Sequence, residues 1–247
     1  MVSGLTYGME HSLKFARRDG LLLAGAAIVG IYLNSLGFVY SIDLTNASTV
    51  ALIFGSLPIV TAIFAFLVRV ERLHRRFWIA AGISFAGVAL VALGSGNEVS
   101  GSFVGILLAL MAAGTWGIYS VAIVPLLGRY SVWRISAGAL IVGSIPLLLT
   151  AIPQLVEQRW DLGALVWACF AFAVLGPLAL TNYLWFTAID RVGPSRATLA
   201  TNLQPFLAAL FAVVLLSEQL TWLQVAGGLA IGVALLLARR RPALESA

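Results

Sequence analysis

Apolar residues in this chain fall in long runs separated by charged or turn-rich breaks, and these runs predict its elements. A helix needs roughly 20 apolar residues to cross a hydrocarbon core. Runs approaching that length cover approximately 20–42, 47–68, 77–95, 102–127, 135–152, 163–187, 195–216 and 221–238, so eight transmembrane helices are expected. The expected fold class is an all-α integral membrane protein.

Two of these runs repeat each other. Shifting the chain by 147 positions lays Ile42–Glu71, IDLTNASTVALIFGSLPIVTAIFAFLVRVE, over Ile189–Glu218, IDRVGPSRATLATNLQPFLAALFAVVLLSE, without a gap and with nine of 30 positions identical. Each copy carries a proline halfway along, Pro58 and Pro205. In water a mid-helix proline costs about 3 kcal/mol. In a bilayer, neighbouring helices can satisfy the freed carbonyl. Interrupted apolar segments at corresponding places in two halves point to a carrier's binding site, and both prolines are read as kinks that shape a cavity. A glycine-bearing run follows each copy, GISFAG at 82–87 and GGLAIG at 227–232, where small residues allow close helix approach.

Charge gives these runs a direction. Of 15 Lys and Arg residues, 14 fall on one side of the predicted alternation and only Arg159 on the other. By the positive-inside rule both termini are cytoplasmic, and the copies in the second and seventh runs cross the membrane in opposite senses. Composition agrees, at 61% hydrophobic and 10% charged with mean hydropathy +1.00, far outside the range of soluble globular domains. The net charge of +5 is read as orientation signal, and no nucleic-acid partner is expected. The lone Cys169 cannot form an internal disulfide and is read as a packing residue.

At this point the chain resembles the drug/metabolite transporter superfamily, EamA type. The resemblance rests on the proline helix ending in Glu, twice over (LPIVTAIFAFLVRVERL and LQPFLAALFAVVLLSEQL), on the glycine-rich helix after each, and on GTWGIYSV at 114–121, similar to the opening helix of that family's second unit. It implies two inverted five-helix units, cytoplasmic termini, and export of metabolites, amino acids or drugs. The expected organisation is a cytoplasmic segment at 1–19, a three-helix partial repeat at 20–95, a five-helix repeat at 102–238 and a basic tail at 239–247. Two further helices are expected upstream of Gly20 if the halves derive from one unit. A truncated or non-transporting membrane subunit with a structural role is the alternative, and if the short form is genuine a homodimer could complete the cavity.

A solute leaving water must exchange hydrogen bonds near the midplane, so polar and aromatic residues inside the runs are the candidate substrate-binding residues. On the seventh run Thr198, Thr201, Asn202 and Pro205 follow i, i+3, i+4, i+7 spacing with Gln204 beside them, one face of a continuous helix. Trp116 and Tyr119 share a face on the fourth run, Asn182 and Trp185 lie within one turn on the sixth, and Asn34 is a contributor on the first. Asn202 and Gln204 are the leading pair. No ionisable residue falls mid-run, whereas proton-coupled carriers usually keep one there. The expected solute is therefore a small neutral or zwitterionic molecule moved without a proton. Glu71 and Glu218 are read as terminating helices or binding neighbouring backbone. There is no HExxH, CxxC, GxSxG or P-loop pattern, so no enzyme, cofactor or metal is expected. The loop GSGNEVSGS at 94–102 is read as a flexible connector.

Overall fold

The computed structural model describes residues 14–96, 101–158, 160–216 and 219–239, and among them every regular element is helical. The chain begins with α1 (Arg17–Ala27), a π-helical stretch (Ile28–Leu33) and α2 (Asn34–Leu44), which run on as one helix. There follow α3 (Ala47–Gly55), α4 (Leu57–Leu67), α5 (Arg75–Gly94), α6 (Phe103–Ala122), the short α7 (Val124–Leu127) and α8 (Val132–Glu157). The last part holds α9 (Ala164–Ala173), a second π-helical stretch (Val174–Leu180), α10 (Thr181–Val192), α11 (Pro194–Thr201), α12 (Gln204–Leu216) and α13 (Trp222–Ala238).

Seven helical stretches among the described residues are long and apolar enough to cross a bilayer: Arg17–Leu44, Ala47–Leu67, Arg75–Gly94, Phe103–Leu127, Val132–Glu157, Ala164–Val192 and Pro194–Leu215. The eighth expected run folds as α13, an apolar helix of 17 residues. Large apolar side chains on these helices, among them Phe66, Leu67, Leu165, Phe172 and Val214, face outward. Water would penalise such a surface, whereas hydrocarbon accommodates it. The chain is a multi-pass membrane protein.

Each proline segment carries a local irregularity inside one apolar helical stretch. α3 stops at Gly55 and α4 starts at Leu57, while α11 stops at Thr201 and α12 starts at Gln204. Each proline thus stands second in a new helix, where no N–H is required of it. The hydrogen bonds at the two breaks correspond. Ser56 N–H donates to Ile53 O at 3.0 Å as Leu203 N–H does to Ala200 O at 3.2 Å, and Val60 N–H donates to Ser56 O at 3.1 Å as Leu207 N–H does to Leu203 O at 3.0 Å. Every partner pair lies at the 147-residue offset seen in the sequence. The π-helical stretches nearly do as well, and so do the starts of α1 and α9 and of α5 and α13.

Two compact units emerge, and each draws on two separate stretches of the chain. Unit 1 comprises residues up to Leu36 together with Thr115–Pro194, and unit 2 comprises Gly37–Gly114 and residues from Ser195 on. In unit 1 the first turn of α1 is tied to the loop after α7. Asp19 accepts from Arg129 at 2.8 Å and from the Tyr130 hydroxyl at 3.0 Å. Close packing follows inside this unit, where the Tyr119 ring lies so near Gly30 that a Cβ there would overlap it.

Unit 2 is built around α5 and α13, its most extensive helix pair. They run antiparallel: the Gly94 carbonyl at the end of α5 accepts from the Thr221 hydroxyl at the start of α13 at 3.0 Å. Midway they cross at Gly87, where an added Cβ would stand 2.8 Å from the Gly227 carbonyl. Only the absence of a side chain permits that approach. Ala62, Phe77, Ala80, Ala81, Leu199, Ala234 and Ala238 form the core at one end of the pair.

Candidate functional site

In unit 1, α6 and α10 carry a row of aromatic rings. Trp116 and Tyr119, one turn apart on α6, have centroids 5.6 Å apart. Trp116 lies 5.5 Å from Trp185 of α10, and Tyr119 lies 5.7 Å from Phe186. Trp133 of α8 stacks on Tyr183 of α10 at 4.0 Å. Three of the expected residues, Trp116, Tyr119 and Trp185, are therefore in one continuous row, with Asn182 a turn before Trp185.

This row coincides with unmet hydrogen-bonding capacity. The Tyr119 hydroxyl, Ser136 Oγ, Asn182 Oδ1 and Trp185 Nε1 are all buried without a protein partner. Most buried polar atoms in proteins are paired, and each unpaired one costs about 1–3 kcal/mol. Tyr119 and Trp185 belong to the aromatic row, Asn182 lies a turn before Trp185, and Ser136 stands on α8, which packs against α10. Trp185 supplies a donor, Asn182 an acceptor and the two hydroxyls either role, and none of the four brings a charge. Ser136 and the Trp133–Tyr183 stack were not singled out from the sequence. Their relevance depends on α8 packing against α10, which no local spacing reveals. Asn34, half-buried, belongs to the same unit and follows directly on the first π-helical stretch.

The expected residues of the seventh run lie in unit 2 and do not form one helical stripe. The break at Asn202 and Leu203 interrupts the i, i+3, i+4, i+7 spacing, which requires an unbroken helix. Thr198 and Thr201 bond back to their own helix, donating to Ser195 O at 3.0 Å and Thr198 O at 2.7 Å. Asn202 is 3% exposed, and its amide nitrogen donates to Gly55 O at 3.0 Å and to Ser84 Oγ at 2.9 Å. Gln204 is exposed at the start of α12. Sequence reasoning missed Ser84, a lone small polar residue inside the glycine-bearing run.

The break explains the Asn202 contact. Because Ile59 N–H turns to Ser56 O at 2.9 Å, the Gly55 carbonyl loses the donor a continuous helix would give it. The Asn202 amide takes that place. Pro58 is buried beside it and Pro205 is half-buried.

The charged ends are also connected. Glu71 Oε2 accepts from Ser195 N–H at 3.2 Å and from the Ser195 hydroxyl, so a carboxylate sits at the N-terminus of α11, where the helix dipole favours it. Glu71 stands beyond the end of α4 and binds the backbone at the start of α11. Glu218 and residues 97–100 of the 94–102 loop lie outside the described residues. Among the described residues no group of three or more His, Cys, Asp or Glu is placed to hold a metal ion.

Comparison with known proteins follows from this architecture. Residues 5–93 and 103–240 match the sequence model described as the EamA-like transporter family. The uncharacterized transporter YdeK of Bacillus subtilis is 26% identical over 241 residues, covering 96% of this chain and 80% of that protein. A "probable terminal-alkyne amino-acid exporter" of Streptantibioticus cattleyicolor is 27% identical over 196 residues, covering 79% of this chain and 65% of that one. The uncharacterized transporter YdfC of Bacillus subtilis is 29% identical, and the match spans 66% of its length. One solved structure, described only as the crystal structure of a protein, shares the fold with a TM-score of 0.79 at 17% identity, covering 96% of this chain and 82% of the other.

Proposed function

Because the chain belongs to the EamA-like transporter family, we propose that it carries a small neutral or zwitterionic, amino-acid-like metabolite or drug across the plasma membrane by alternating access between inverted helix sets. The observation that carries the substrate class is the set of unpartnered polar atoms on Tyr119, Ser136, Asn182 and Trp185 beside the Trp116 ring. Uncharged donors can receive a carboxylate, the Asn182 oxygen can receive an N–H, and an ammonium can lie over an indole face. The amino-acid exporter among the relatives supports the same class.

The carrier mechanism draws support from the corresponding helix breaks and from the antiparallel α5 and α13. In the proposed arrangement residues 20–95 and 102–238 are three-helix and five-helix portions of related units, crossing eight times with cytoplasmic termini. Asn34, Thr198, Thr201, Asn202 and Gln204 remain proposed contributors, Asn202 by holding the break in shape.

Counterflow in proteoliposomes, with neutral amino acids tested against nucleobases and cationic drugs, examines this reading. Asn182→Ala with Trp185→Ala is expected to lower uptake at least tenfold, because each removed bond to a bound polar group is worth about 1–1.5 kcal/mol. Unchanged uptake in a folded double variant would remove the site assignment.

A further inference from the structure

Unit 2 contains a second feature, independent of the proposed transport site: a cavity of about 750 Å³ at the end where α5 begins and α13 finishes. Arg72, Arg75, Arg76, Arg196 and Arg239 line it. Glu71 is the one carboxylate in that lining, with His74 adding a further nitrogen base. Arg196 Nε donates to Ala238 O at 3.0 Å, which holds its guanidinium against the end of α13. One Glu71 oxygen is engaged by Ser195, and the other is buried without a partner. The single carboxylate is thus directed to a helix end and leaves the arginines in large excess.

The start of α5 adds to this positive field. Arg75 and Arg76 occupy its first turn, the turn contains no acidic residue, and the N-cap His74 makes no side-chain capping bond. Acidic residues are favoured at this end of a helix and basic ones are not. Arginines on an uncapped N-terminus reverse that preference, and an anion received there would be met by both the guanidiniums and the helix dipole. Setting topology needs positive charge only on the correct side of the membrane. It does not need five guanidiniums around one cavity.

We propose that this cavity binds a phosphate group. Guanidinium forks match phosphate oxygens in bidentate fashion. Leu73, Phe77 and Leu237 supply an apolar wall to the same cavity, so a phosphate carrying an acyl-bearing glycerol would satisfy both parts. Basic pockets at the cytoplasmic ends of membrane helices recognise anionic headgroups in this way. The phosphate can come from an anionic phospholipid or from free phosphate in solution.

Thermal unfolding of the purified full chain in detergent, followed by tryptophan fluorescence, distinguishes these sources. Short-chain phosphatidylglycerol, short-chain phosphatidylcholine and inorganic phosphate are titrated in parallel. Phosphatidylglycerol is expected to raise Tm by about 3 °C or more through binding to the folded state, with phosphatidylcholine, whose choline cation would face the same arginines, ineffective. Arg75→Lys with Arg76→Lys retains the charge and loses the forks, so its half-saturating concentration should rise about tenfold. Arg191→Gln, altered outside the cavity, should respond like the wild type. A matching response to inorganic phosphate identifies the bare anion as sufficient, and a response to phosphatidylglycerol alone identifies the lipid. No Tm shift with either probe, or equal responses from the lysine and Arg191 variants, would overturn the proposal.

Discussion

The two proline-bearing breaks have closely similar backbones and opposite chemistry. At the first, Gly55 presents a bare carbonyl. At the second, Asn202 occupies the corresponding position and donates its amide to that carbonyl, 147 residues away. Each stands at the other's position under the 147-residue offset, and the two are in direct contact. A Cβ at Gly55 would press on Val88, and without the Asn202 amide the Gly55 carbonyl would lose its donor. One glycine and one asparagine satisfy space and hydrogen bonding together, with Ser84 completing the amide's donors. The difference teaches that the mismatch between the two copies at this spot lets one break satisfy the other.

Breaking the asymmetry from the Asn202 side should have the largest effect. Asn202→Leu leaves the Gly55 carbonyl and Ser84 hydroxyl buried without their donor, at about 1–3 kcal/mol each. Thermal unfolding in detergent should record a clear drop, and an unchanged midpoint would mean that the amide does not hold the break together. From the other side the effect is smaller. A Cβ at Gly55 would stand 3.0 Å from Val88 Cγ1, so Gly55→Ala should cost about 1–2 kcal/mol through overpacking. Adding Val88→Ala should recover part of that loss relative to Val88→Ala alone, and strict additivity would locate the strain elsewhere. The prolines should matter least. Pro58→Ala and Pro205→Ala are each expected to change stability by less than about 1 kcal/mol, because the second position of a helix asks nothing of the missing N–H. A gain near 3 kcal/mol would instead place the proline inside a continuous helix.

The helical layout was largely legible in the sequence, since apolar runs and arginine placement report directly on burial in hydrocarbon. Pro58 and Pro205 located the irregular segments. They did not distinguish a kink from a clean break, because that depends on whether a donor such as Asn202 can reach the freed carbonyl from another helix. Trp116, Tyr119, Asn182 and Trp185 were legible as polar and aromatic residues at helical spacing. Ser136, Ser84 and the Glu71–Ser195 bond were not, since their partners are distant in the chain. The correspondence of α1 with α9 was legible only from helix order. Those segments share few side chains, and only their backbone irregularities align.

Those irregularities carry a mechanical consequence. A π-helical turn holds about one residue more than an α-helical turn, so the residues after Leu33 and after Leu180 are rotated relative to the shaft preceding them. Asn34 and Asn182 both come just after such an insertion. Winding either stretch at regular α-helical pitch with all of its residues kept would swing its asparagine by about 100°, so the extra residue in the turn sets which way that side chain faces.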